Sequence, residues 1–270
     1  MNQRRSLPDL NQVSMIVASI LLAYAISRIS SIPTREVRLQ LPGFFISFNL
    51  NVQFITIPFV AGLAASGSDW LVHTHPFWKG RFAIRHWLLP MLTALVLGFP
   101  ITQLPYGVTW WLTFLIGAAI LMAVLLAEYI TVDPHDIRQP LASSSLISVS
   151  YTLFFIFCIA IYLLSYRLIF ALPAITLASF IVSLRSFNLY NSEYWAYLES
   201  GLIALITCQI STALHYWPLS PIACALALLG PSYAIFIYTT RINQQEKRKN
   251  IFLEPALILF VCWFLAYWLK

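Results

Sequence analysis

Charge is what this sequence has least of. Only 10% of its 270 residues are Asp, Glu, Lys or Arg, against about a quarter in soluble domains. With 60% hydrophobic residues and a mean hydropathy of +0.78, no stretch is left over for a separate water-soluble domain. The net charge of +6 does not indicate nucleic acid, which needs a basic face on a water-soluble fold. Cysteine motifs are missing too. Cys158, Cys208, Cys224 and Cys262 all fall in apolar runs, form no CxxC pair and lie away from any ligand-spaced histidine, so they read as small packing residues. There is no HExxH, which removes the zincin type of metal centre.

What the chain has instead is long apolar runs. They lie near 13–26, 52–73, 84–104, 108–131, 141–165, 167–188, 194–215, 219–240 and 252–269. Most approach the roughly 20 residues that a helix needs to cross about 30 Å of hydrocarbon. Strands of a closed barrel would be half as long and would alternate. The expected fold is therefore all-α: a polytopic transmembrane bundle of about nine spans, forming one integral membrane domain over residues 1–270. The last run is the shortest after the first and also fits an interfacial helix. Residues 1–11 read as a polar leader, and the first run reads as an uncleaved span although Ala23-Tyr24-Ala25 mimics a cleavage site. Between the first two spans the period changes. Val37, Leu39 and Leu41 alternate with polar residues, Pro42-Gly43 interrupts, and Phe44, Ile46, Phe48 and Leu50 alternate again. That pattern predicts a small extracytoplasmic β-hairpin at about 36–50, with Gly43 supplying the positive φ of a type II turn. Its phenylalanines are expected to lie against the bundle or the lipid interface.

The basic residues lie in the short gaps between runs, the arrangement that orients membrane proteins. With the N-terminus in the cytoplasm, the inner segments carry Arg4, Arg5, Lys79, Arg81, Arg85, Arg138, Arg185, Arg241, Lys247, Arg248 and Lys249. The outer ones carry only Arg28, Arg35, Arg38, Arg167 and Lys270. The expectation is a multi-pass protein of the cytoplasmic (inner) membrane, N-terminus inside and C-terminus outside.

Ionisable groups inside spans are functional hypotheses by default, and here they gather at the cytoplasmic level. Asp69, His73, Glu128 and Arg185 are the candidate catalytic cluster, with His86 beside them. Gly62, Ser66, Asp69 and His73 recur at intervals of four, three and four, so they share one helical stripe, and Gly62 with Ser66 is expected to admit a neighbouring helix closely. The plainer reading makes Asp69 a lock between two helices. A metal reading uses Asp69, His73, His75 and His86, although His73 and His75 cannot share a helix face. The loop around Lys79, Arg81 and Arg85 is basic, and 128–136 is acidic; their attraction alone explains both. A phosphate-bearing head group on Arg85 and Arg185, with a carboxylate-held Mg²⁺, is a further reading that no motif supports. Two stretches, HWLLPMLTALVLGFP and HYWPLSPIACALALLGP, are faintly alike and would cross in opposite directions, as in inverted repeats.

The strings PTREVRLQLPGFF, SGSDWLVHTHP, EYITVDP and HYWPLSP together resemble an uncharacterised multi-pass membrane protein family of Chloroflexota bacteria, a domain of unknown function. The resemblance spans most of the chain and implies a bacterial cytoplasmic-membrane location, with no activity attached. No signature of a lipid phosphotransferase, polyprenyl transferase or rhomboid-like protease is present. Three classes stay open. A membrane-embedded enzyme or lipid-handling protein fits the acid, His and Arg groups at the inner leaflet, with membrane lipid as its partner. A secondary transporter is disfavoured by the nearly charge-free midplane. A non-catalytic membrane subunit or scaffold contradicts no residue.

Overall fold

A computed structural model describes residues 8–29, 35–41, 44–50, 52–76, 78, 80, 84–191, 195–243 and 252–269. Among them are nine helices: α1 (Leu10–Ile29), α2 (Val52–His73), α3 (Ile84–Gln103), α4 (Val108–Ile130), α5 (Gln139–Leu163), α6 (Leu168–Tyr190), α7 (Tyr197–His215), α8 (Pro221–Asn243) and α9 (Leu253–Trp268). The first eight are long and apolar enough to cross a membrane, so the chain is built as a multi-pass membrane protein. The expected ninth span is revised to a shorter apolar helix: at 16 residues α9 rises about 24 Å, less than the hydrocarbon thickness.

Between α1 and α2, β1 (Arg35–Leu41) and β2 (Phe44–Leu50) pair antiparallel, in register from Arg35 opposite Leu50 to Leu41 opposite Phe44. The Pro42-Gly43 turn lies outside the described residues, and so do the strand side chains, including the phenylalanines expected to pack.

The chain forms two compact units, Met1–Val132 and Asp133–Lys270. In the first, α1 to α4 enclose a core that includes Val13, Ile20, Val60, Ala64, Leu121 and Leu125. Lipid tails are as apolar as leucine, so such helices associate through close packing and hydrogen bonds rather than by escape from water. Both are visible at one crossing. Tyr24 of α1 is buried and donates its hydroxyl to Ala94 O of α3 at 2.6 Å. Gly98 makes room for it, since a Cβ there would lie 2.6 Å from Tyr24 Oη. Further along, Arg28 closes the C-terminal end of α3, its guanidinium donating to Thr102 O at 2.7 Å and Leu104 O at 3.1 Å. A cation there satisfies orphan carbonyls and complements the helix dipole.

The stripe of α2 that packs inward is Val60, Ala61, Ala64, Ser68, Leu71 and Val72, all buried. This corrects the expected contact face. Gly62, Ser66 and His73 are exposed, and a Cβ on Gly62 would touch nothing within 4 Å. The inward stripe has small residues of its own, Ala61, Ala64 and Ser68, while the large Phe59 and Trp70 are exposed. The Gly62–Ser66 pair stands nearly opposite it, close to half a turn around the helix.

In the second unit α6 packs against α5, α7 and α8, and α9 packs along α8. Gly230 of α8 meets Cys262 of α9, where a Cβ would come within 2.8 Å of the cysteine's own. Arg241 and Glu254 form an ion pair that joins the ends of the same two helices.

The Tyr24–Gly98 crossing yields a specific test. Gly98→Ala should destabilise the protein by about 1–3 kcal/mol, the usual cost of overpacking, and lower its thermal midpoint in detergent. Tyr24→Phe removes the atom that the new methyl would strike. In that background Gly98→Ala should cost measurably less, and equal costs in the two backgrounds would show that the contact is not tight.

Candidate functional site

The polar cluster of the first unit begins with a proline. Pro90 stands nearly two turns into α3 and carries no N–H, so the carbonyl four residues earlier, His86 O, loses its helical partner. Ser68 of α2 supplies the replacement: its hydroxyl, in a residue 1% exposed, donates to His86 O at 2.7 Å. That bond fixes the depth at which α2 meets α3, and it sets His86 against the core.

There the imidazole finds Glu128. His86 Nδ1 lies 2.9 Å from Glu128 Oε2, with side chains 6% and 1% exposed. Glu128 is two residues from the end of α4, and burying a lone carboxylate in this setting costs several kcal/mol. Next to it Tyr129 is also buried, and the ring of His75 packs on it edge-on at 4.5 Å between centroids. A carboxylate on Nδ1 holds the imidazole in a defined orientation and favours the proton on that nitrogen.

Asp69 follows Ser68 and sits nearer the surface. Its Oδ1 accepts a hydrogen bond from Trp87 Nε1 at 2.9 Å, and His73, one turn on, lies 3.5 Å from the same oxygen. His73 Nδ1 is also 2.8 Å from Asp69 O. The side chains of His73 and Asp69 are 52% and 33% exposed. Two adjacent residues of α2, Ser68 and Asp69, thus hold two adjacent residues of α3, His86 and Trp87. Polar groups grade from the exposed His73–Asp69 pair to the buried His86–Glu128 pair.

Of the four residues expected as a cluster, three belong to this unit. Asp69 and His73 touch each other, whereas Glu128 is bound to His86. Arg185 belongs to the second unit, where it is 2% exposed and donates from Nη1 to Asn188 Oδ1 at 2.9 Å. The proposed metal ligands Asp69, His73, His75 and His86 divide among separate partners. Among the described residues no group of three or more His, Cys, Asp or Glu is arranged to hold a metal ion. Of the basic residues before α3, Lys79 and Arg81 lie outside the described residues. In the acidic stretch, Asp136 pairs with Arg138 at 3.0 Å, and this hydrogen bond to Asp136 raises the Arg138 guanidinium above its ordinary value.

Ser68 and Trp87 were not singled out by sequence reasoning. The signal for Ser68 was present in Pro90: a proline inside a span announces a freed carbonyl, and a small hydroxyl residue on a neighbouring helix is a fitting donor. Nothing in the sequence marked Trp87, whose indole reads equally as part of an interface belt.

No curated protein and no solved structure matches the chain. One family model does, described as a protein of unknown function (DUF5656), and it matches residues 32–269. The chain therefore belongs to the DUF5656 family.

Proposed function

We propose that this protein is a membrane-embedded enzyme or lipid-handling protein. Its working groups are the Glu128–His86 pair, approached past Asp69 and His73. The observation that carries the reading is the hydrogen bond between an imidazole and a carboxylate that is 1% exposed. A helix contact needs no ionisable pair, and apolar side chains of similar volume would hold α3 to α4 as well or better. The pair has the makings of a proton-transfer centre. With the carboxylate orienting Nδ1, Nε2 becomes the nitrogen that takes a proton from a substrate, and the carboxylate stabilises the imidazolium that forms.

The cytoplasmic leaflet is the proposed place of action. Support comes from the basic residues ahead of α9, eleven of which fall on the inner side against four on the outer when the N-terminus is inside the cytoplasmic membrane. A phosphate-bearing head group is the proposed substrate class, because Lys79, Arg81 and Arg85 immediately precede His86 in the chain.

Two experiments test this. A deletion strain is complemented with wild type, Glu128→Gln or Asp69→Asn, and its membrane lipids are compared. Glu128→Gln keeps the shape of the pair and should give normally folded protein that fails to restore the lipid profile, with Asp69→Asn falling short in the same lipid species. A deletion strain with unchanged lipids, or full restoration by Glu128→Gln, contradicts the proposal. For orientation, Gly107→Cys and Gln245→Cys are made separately in a background free of the four native cysteines. An impermeant maleimide should label position 107 on intact cells and position 245 only after permeabilisation; the opposite pattern reverses the topology.

A further inference from the structure

The second unit holds a different kind of polar structure, on which the first unit's site does not depend. Ser200, Thr207 and Ser211 recur along α7 at intervals of seven and four, so they lie on one stripe, and all are at most 1% exposed. Ser179, Ser183 and Ser186 do the same along α6, again fully buried. The two stripes meet midway along their helices, where Ser179 Oγ lies 3.1 Å from Thr207 Oγ1 and Thr207 Oγ1 lies 3.0 Å from Ser232 Oγ of α8. One turn away, Tyr162 Oη of α5 lies 3.2 Å from Ser211 Oγ. The Tyr162 ring is 6.4 Å from that of His215. Both line a cavity of about 220 Å³ together with Ser165, Tyr166 and Trp217 at the turns that close α5 and α7.

In the other direction the seam continues. α6 and α7 run antiparallel, so Ser186, seven residues beyond Ser179, stands level with Ser200, seven residues before Thr207. Here the hydrogen bonding is incomplete. Ser200 Oγ is buried and has no partner among the described residues, while Tyr151 of α5, whose ring packs on Tyr233 and Phe236 of α8, has its hydroxyl toward Ser186. Glu199, adjacent to Ser200 and half-buried, has an Oε2 likewise unpartnered among them. A seam that served only to pack helices would close its hydrogen bonds, since each buried hydroxyl left open costs about 1–3 kcal/mol.

We infer that the α5–α8 core of the second unit is a proton path, running from His215 and Tyr162 at one end to Glu199 at the other. Along α7 these ends are 16 residues apart, about 24 Å of helix, which is most of the hydrocarbon thickness. A hydroxyl both accepts and donates. An incoming proton binds one oxygen and that oxygen's own proton moves to the next. Once one proton has entered and one has left, each hydroxyl rotates back, Thr207 toward Ile203 O and Ser232 toward Leu228 O, and the ladder is restored. Counted across α6 and α7 together, successive hydroxyls stand in contact or about one turn apart, a spacing that one or two water molecules bridge. At Ser179, Thr207 and Ser232 the oxygens touch, so no solute larger than a proton passes without parting the helices. The transmembrane potential or a pH gradient supplies the driving force.

The test is proton flux into liposomes that contain the purified full-length protein, a trapped pH-sensitive dye and a valinomycin-imposed potassium potential. Wild type should carry protons faster than protein-free vesicles. Thr207→Val, near in shape but without the hydroxyl, should lower that flux by about a hundred-fold or to the protein-free baseline, as loss of a proton-transfer group does. Ser144→Ala, which removes an exposed hydroxyl of α5, should leave it unchanged. Should Thr207→Val fail to fold, Ser200→Ala decides, because it removes a hydroxyl that holds nothing in place; its flux should fall as well. Wild-type flux at the protein-free level, or undiminished flux in the deciding variant, overturns the inference.

Discussion

Inside hydrocarbon a polar atom has no water to turn to, and its partner must come from the protein itself. Helices solve this for the backbone, and the first unit shows the consequence where the solution is incomplete. Pro90 leaves His86 O without an N–H, and Ser68 reaches across from α2 to take it. The end of α3 leaves further carbonyls open, and Arg28 reaches across from α1 to two of them. Tyr24 adds a third cross-helix bond where Gly98 lets it approach. These two gaps in the backbone ladder of α3 thus become fixed points between helices, in a setting where burial of apolar surface gives little preference for one helix neighbour over another.

The same constraint explains why the polar side chains come in connected sets. Glu128 is tolerated at 1% exposure because His86 meets it. His86 in turn is placed by the bond to its own carbonyl. Asp69, more exposed, is held by Trp87, so two successive residues on each of two helices assemble the whole cluster. The second unit, where Arg185 is buried with Asn188, answers mainly with hydroxyls, linking α6, α7 and α8 through Ser179, Thr207 and Ser232. One unit concentrates ionisable groups near a helix end, and the other spreads uncharged donors and acceptors along its length.

Much of the fold was legible in the sequence because the hydrocarbon thickness dictates the length of apolar runs, and every expected run from 52 onward lies within three residues of a helix at each end. The last helix was the exception in kind: its run was apolar enough, but the helix itself is short. Which face of a helix turns inward was less legible. On α2 the spacing of Gly62, Ser66, Asp69 and His73 is real, yet Val60, Ala64, Leu71 and Val72 decide the packing. The residue types of the site were readable, since Asp69, His73, His86 and Glu128 are rare charges and imidazoles in an apolar chain. Their pairing was not, because it depends on how far α3 slides along α2 and α4. That displacement is set by Ser68, a residue with no chemical signature of its own.

The bond from Ser68 to the carbonyl that Pro90 frees is therefore where the account is most exposed, and a double-mutant cycle on it is the most direct measurement. In the native background Ser68→Ala leaves a buried carbonyl open and should lower stability by about 1–3 kcal/mol. In the Pro90→Ala background the helix regains its own N–H for His86 O, and Ser68→Ala should then cost close to nothing. The same stability loss in both backgrounds would contradict the claim that a gap in the backbone ladder positions the His86–Glu128 pair.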